Sequence, residues 1–231
     1  MTRVVRALKA PVVATSQDDA VFPVGRIFCV GRNYAAHARE MGMDERDPPF
    51  FFTKFPGSLV PSGGMIAYPR ATEDFQFEGE LVIAIGRDGV DLTPQEALSI
   101  IFGYAAGLDM TRRDLQMRSR EQGRPWDTGK NFDESAPIGV IHPVSQVGHI
   151  ALGSLVLRVN GDVRQQADIG DMIWSCAEII SHLSHYGPLR AGDLIYTGTP
   201  AGVGAVVPGD RISVDIEGLP TLEITVGPKG N

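Results

Sequence analysis

Leu81, Val82, Ile83, Ala84 and Ile85 follow one another without a polar interruption. That is the pattern of a strand buried on both faces rather than one half in water. Shorter apolar runs predict further strands at Ile27–Val30, Phe50–Lys54, Tyr104–Leu108, Leu194–Thr197, Arg211–Glu217 and Thr221–Val226. The stretch LVLRVNGDVRQQADI places Asn160-Gly161 between two β-prone runs, a strong hairpin signal. Helical spacing is rarer. Apolar residues at 172, 173, 176, 179, 180 and 183 predict an amphipathic helix over Asp171–Tyr186. Thr93-Pro94 marks a helix start before Glu96–Ile101. NYAAHAREMG (33–42) reads as a short helix with Asn33 as its N-cap and Gly42 as its stop. Many strands, few helices and no regular βαβ alternation predict a β-rich α+β fold, not a doubly wound sheet. Residues 1–22 read as a small N-terminal extension or cap, and 23–231 as the main domain.

Composition narrows the function. A chain of 231 residues with 43% hydrophobic and 21% charged residues is that of an ordinary globular domain. A net charge of −7 argues against nucleic acid or an anionic membrane as the main partner. No apolar stretch approaches the roughly 20 residues of a membrane span, and no signal-peptide pattern is visible. Cys29 and Cys176 are too few and too far apart for a disulfide framework or a cysteine zinc site. Both are expected to be reduced and buried, which suggests the cytoplasm.

The candidate chemistry begins just before the buried run, in DFQFEGELVIAIG. Glu78 and Glu80 lie two apart, so on a strand they share a face. Two like charges entering such a place are costly without something positive between them. His37 and Glu40 share a helical face, a spacing at which a carboxylate can orient an imidazole for taking a proton from water. Lys130 lies among aromatic and turn residues, and Asp109 ends an apolar strand. Taken singly, each of these fits a strand end, a solvated face or a surface charge at least as well. The loop TGTPAGVG (197–204) has neither the order nor the context of a phosphate-binding loop, and no G-x-S-x-G elbow is present. His182 and His185 read as ordinary helix-terminal histidines.

Six blocks in order change the weighing: GRNYAAHARE, PPFFFTK, EGELVIAIG, GYAAGLDMTRRDLQ, GRPWDTGKNFDESAPIG and GDLIYTGTPAGVG. From about Arg26 to Val226 the chain resembles the fumarylacetoacetate hydrolase superfamily. Within it, the chain is most similar to the fumarylpyruvate and acylpyruvate hydrolases, and also to oxaloacetate decarboxylases. The resemblance implies a mixed β-roll of the family's C-terminal domain type, forming a homodimer. It implies Glu78, Glu80 and Asp109 as ligands of a divalent ion. Oxygen-only ligands favour Mg²⁺ or Mn²⁺, with Ca²⁺ able to replace them in crystals. It further implies His37 and Glu40 as the water-activating pair and Lys130 as an oxyanion-stabilising lysine. Arg32, Arg113, Gln116 and Thr199 would contact a small dicarboxylic keto-acid substrate. Two departures are visible: Phe77 replaces a histidine common in near relatives, and Gly79 replaces a bulkier spacer. Neither removes a ligand. The expected reaction is metal-dependent cleavage of an acylpyruvate, fumarylpyruvate giving fumarate and pyruvate on the gentisate route. Oxaloacetate decarboxylation and isomerisation of a hydroxy-dienedioate would use the same electron sink. A ligand-holding module without catalysis would explain the carboxylates but not His37, Glu40 and Lys130 together.

Overall fold

The computed structural model describes residues 10–17, 19–34 and 47–230. The apolar run forms the strand Gly79–Ile85, buried at every position, and lies near the middle of the largest sheet. That sheet has eight strands. Along its path lie Phe50–Lys54, Arg26–Gly31, Asp193–Tyr196, Gly79–Ile85, Ile101–Leu108, Ala136–Ile138 and Leu59–Pro61, with His142–Pro143 pairing onto Ile101–Leu108. Most neighbours are antiparallel, but Arg26–Gly31 with Asp193–Tyr196, and Ala136–Ile138 with Leu59–Pro61, are parallel. Leu81, Ile83 and Ile85 face the larger hydrophobic core, while Val82 and Ala84 face a second one containing Ile27, Cys29, Leu194 and Tyr196. Burial on both faces therefore explains the missing alternation.

A second, five-stranded sheet runs in the order Asp162–Asp168, Ser154–Val159, Arg211–Ile216, Leu222–Lys229 and Met65–Tyr68. The predicted hairpin is its first pair. Asn160 and Gly161 both adopt positive φ, 53° and 90°, as a two-residue hairpin turn with matching twist requires. A small three-stranded sheet of Thr111–Arg112, Phe75–Phe77 and Gly204–Ala205 closes the site end. The hairpin Val12–Ala14 with Val21–Pro23 sends Val13 and Phe22 into the second core. The β-rich α+β architecture with mixed sheets is the one expected.

Three expectations about elements change. The helix expected over Asp171–Tyr186 runs from Cys176 to His185, because Ser175 and Glu178 form a reciprocal capping box at its start. Ile169–Asp171 forms a separate 3₁₀ turn. The helix expected over Glu96–Ile101 is Pro94–Leu98, capped by Thr93, and Ile101 already begins a strand. Asn33 spends its amide elsewhere: Nδ2 donates to the carbonyls of Trp174 and Thr197 at 2.8 and 2.9 Å, and Oδ1 accepts from the Trp174 N–H. The remainder of the helix expected over 33–42 falls outside the described residues.

Candidate active site

Glu78 sits at a junction between sheets. Phe75–Phe77 belongs to the small sheet and Gly79–Ile85 to the large one, so the expected single strand is two. The pairing changes hands at Glu78, whose carbonyl accepts from the Asp109 N–H at 2.9 Å. Asp109 follows directly on the neighbouring strand Ile101–Leu108. The two strand ends thereby bring Glu78, Glu80 and Asp109 together, each offering a carboxylate oxygen within 4.8 Å of the others. All three are buried, at 5%, 1% and 1% exposure. Such a cluster is unstable without cations.

Lys130 supplies the first cation. Its Nζ donates to Glu78 Oε2 at 2.6 Å and to Asp109 Oδ2 at 2.7 Å. Gly129, just before it, packs where a Cβ would stand 2.7 Å from the Gln116 nitrogen, so the short helix Asp127–Lys130 can press onto Arg113–Glu121. Arg113 supplies the second, with Nη2 donating to Glu78 Oε1, Nε to Gln76 Oε1 at 2.8 Å and Nη1 to Gln116 Oε1. The third is Lys54, which the sequence pattern did not single out. Its Nζ lies 2.8 Å from Asp109 Oδ1 and also donates to the carbonyls of Met110 and Lys130. A lysine ending the run FFFTK, with the strand buried at that point, was the available signal.

Burial by itself would raise the Glu78 carboxyl, but Lys130 and Arg113 overturn this and hold it well below the usual carboxylate range. Glu80 differs. Burial and the Asp109 and Glu78 carboxylates push it well up, opposed by Lys130 and by the Gly198 N–H, which donates to Glu80 Oε2 at 2.8 Å. Gly198 adopts φ 96°, and a Cβ there would come within 2.8 Å of Asn33 Cβ, so glycine is required for this approach. For Lys130, burial lowers the ammonium but Asp109 and Glu78 more than compensate, so it stays charged.

Glu78, Glu80, Arg113, Gln116, Lys130 and Thr199 line one cleft, faced by Arg32, Phe52 and Trp126. Asp109 lies behind it within the carboxylate cluster. Arg32, at φ 61°, carries its guanidinium over the rings of Phe50 and Trp126, 5.4 and 6.0 Å from their centroids. A wider hollow of about 400 Å³, walled by Phe50, Phe52, Pro125 and Trp126, shares Lys130 with the cleft. His37 and Glu40 lie outside the described residues.

The all-oxygen donor set suits a hard divalent ion, and Glu80, buried beside two other carboxylates, receives only the Gly198 N–H among the described residues. The residues present therefore fit a divalent metal. Residues 26–227 match the model of the fumarylacetoacetate (FAA) hydrolase C-terminal domain. The chain is 50% identical over 179 residues to a fumarylpyruvate hydrolase of a Ralstonia species, covering 78% of this chain and 93% of that protein. A crystal structure of fumarylpyruvate hydrolase from Pseudomonas aeruginosa, in complex with Mn²⁺ and pyruvate, matches with a TM-score of 0.96 at 50% identity. It covers 99% of this chain and 100% of that one. A mitochondrial oxaloacetate tautomerase of Arabidopsis thaliana is more distant, 39% identical over 93% of this chain and 96% of its own length. The chain belongs to the fumarylacetoacetate hydrolase family.

Proposed function

We propose that the chain hydrolyses a carbon–carbon bond of a 2,4-diketo acid, converting fumarylpyruvate to fumarate and pyruvate with Mg²⁺ or Mn²⁺. The observation that carries this reading is the unequal neutralisation of the carboxylate cluster, opening on a cleft that holds a partly committed lysine. Identity of 50% to fumarylpyruvate hydrolases supports the substrate.

Glu78, Glu80 and Asp109 would hold the ion. When bound, it supplies Lewis-acid polarisation of the 2-keto acid end and a sink for the electrons of the departing pyruvate. The protein balances charge around it. Three carboxylates face three cationic side chains, Lys54, Lys130 and Arg113, for a sum of zero. An ion of charge +2 then meets a substrate of charge −2.

The two lysines divide the work. An ammonium has three donors. Lys54 donates to two carbonyls and pairs by charge with Asp109 Oδ1 at 2.8 Å, a buried oxygen without a hydrogen-bond partner among the described residues, and is a fixed structural cation. Lys130 makes two such contacts and lines the cleft, so one N–H remains to stabilise the oxyanion formed when water attacks the distal carbonyl. His37, oriented by Glu40, takes the proton from that water and can return it to the departing carbon. Arg113 fixes Gln116 by bonding its Oε1, which turns the Gln116 amide N–H₂ outward as a donor for a substrate carboxylate. Arg32 is the guanidinium placed to meet the far carboxylate, over the aromatic wall. The family resemblance supports a homodimer acting in the cytoplasm on the gentisate route.

A substrate panel tests this. Under one buffer and metal concentration, kcat/KM should be highest for fumarylpyruvate, lower for acetylpyruvate, and lowest for oxaloacetate decarboxylation. A substrate lacking the far carboxylate forfeits the arginine–carboxylate pair. Equal turnover of acetylpyruvate would make the chain a general acylpyruvate hydrolase.

A further inference from the structure

Gln165 is an anomaly of its strand. It lies on Asp162–Asp168, an edge strand of the five-stranded sheet. There the apolar Val163 is 50% exposed while the polar Gln165 is 1% exposed. The register explains how. Leu157 pairs with Gln165, but the next residue, Arg158, pairs with Val163, so Arg164 is an extra residue and the strand bulges. Bulges re-aim a side chain, and here the chain beyond the bulge turns Gln165 inward, toward the other sheet.

The buried amide makes three hydrogen bonds, all to segments of the active site. Its Oε1 accepts from the Gly79 N–H at 2.9 Å, and Gly79 is the residue between the two metal-site glutamates. Its Nε2 donates to Thr199 Oγ1 and to the Pro200 carbonyl, each at 2.8 Å. Thr199 completes the loop by donating its hydroxyl to the Gly79 carbonyl at 3.0 Å. Two glycines permit the closeness. A Cβ on Gly79 would stand 2.9 Å from Leu157 Cδ1 and 3.3 Å from Gln165 Oε1. A Cβ on Gly202, at φ 94°, would stand 2.2 Å from the carbonyl oxygen of the bulge residue Arg164. The glycine at position 79 therefore has a local reason.

We infer that Gln165 is a positioning residue of the reaction, one side chain that sets both the spacing of the Glu78–Glu80 pair and the placement of Thr199. Because the Thr199 hydroxyl gives its proton to Gly79 and receives one from Gln165, Thr199 meets a substrate as an acceptor or through its backbone, not as a hydroxyl donor. The inference rests on the metal-site reading above.

The test uses the full chain and two variants, Gln165→Met and Gln165→Glu. Mn²⁺ binding to the metal-stripped protein is followed by electron paramagnetic resonance, and pyruvate binding to the Mn²⁺-loaded protein by calorimetry. Residues that orient ligands typically matter by about 10–100-fold. Gln165→Met, which removes all three bonds, should weaken both binding steps within that range. Gln165→Glu keeps an oxygen for the Gly79 N–H but loses the donor to Thr199. It should retain Mn²⁺ affinity while pyruvate binding weakens, a split that a merely structural residue would not give. If Gln165→Met fails to fold, the split in Gln165→Glu decides. Parent-like binding of both ligands by the folded variants overturns the inference. Failure of the unaltered protein to bind Mn²⁺ overturns instead the metal-site reading itself.

Discussion

Glu78 and Glu80 stand two residues apart on one chain, yet their surroundings differ in kind. Glu78 is gripped on both oxygens, by Arg113 and by Lys130, and its neighbour Asp109 by Lys130 and Lys54. Glu80 receives the Gly198 N–H and otherwise faces the other two carboxylates. One half of the cluster is neutralised by the fold; the other half is left for something that arrives. A site built this way stays folded when empty, because most of its charge is paired. It also retains a specific electrostatic deficit that a divalent ion relieves.

The largest effects should come from breaking the neutralised half. Lys130→Met leaves Glu78 and Asp109 buried without their shared cation. Breaking a buried pair costs about 3–5 kcal/mol, and losing an oxyanion donor costs about 10²–10³-fold in kcat. Thermal melts of the metal-stripped protein should show the first loss, and the diketo-acid assay the second. Lys54→Met should cost a similar 3–5 kcal/mol but reduce kcat of the folded protein far less, since Lys54 does not reach the cleft. Equal kinetic damage from the two substitutions would contradict the division of roles between the lysines.

A smaller effect, of opposite sign in the two halves, should appear with pH. The Glu78 carboxyl is depressed in the folded protein, so its contribution is present above its unfolded value near about 4.3 and is lost as pH falls. The Glu80 carboxyl is raised, so its contribution is full below that same value and is lost as pH rises through the raised folded one. Urea midpoints of the stripped protein should therefore carry a component that declines as pH increases above about 4.3. Saturating Mn²⁺ should remove it. Metal binding at the lower end of that range should also release a proton, seen as a dependence of the calorimetric heat on buffer ionisation enthalpy. A pH slope unchanged by metal would mean that Glu80 is not a ligand. The smallest expected change is a control outside the cluster. Ser175→Ala removes the N-cap of Cys176–His185 and should cost about 1 kcal/mol, leaving Mn²⁺ affinity unaltered.

Much of this was legible in the sequence because it rests on local pattern. The unbroken run Leu81–Ile85, the Asn160-Gly161 turn and the strand ends at Lys54 and Asp109 all follow from periodicity and turn chemistry. The three carboxylates were legible from the motif blocks. Less accessible were features that depend on which segments meet in space. The sheet change at Glu78 leaves no clear mark in DFQFEGELVIAIG, since the segments on either side both read as strand. Lys54 and Gln165 become important only through partners far along the chain, 76 residues away for Lys54 and Lys130 and 86 for Gln165 and Gly79. The start of the Cys176–His185 helix was misplaced because apolar spacing continues upstream of the capping box that begins it.

If a catalytic ion fills the electrostatic deficit beside Glu80, turnover must follow metal occupancy. The protein is stripped with a chelator, dialysed, and titrated with Mn²⁺ or Mg²⁺ while fumarylpyruvate hydrolysis and bound metal are recorded together. Turnover should be absent in the stripped protein and rise in proportion to bound metal, saturating at one ion per chain. Full hydrolysis by the stripped protein would contradict a catalytic role for the ion, as would activity unrelated to metal bound.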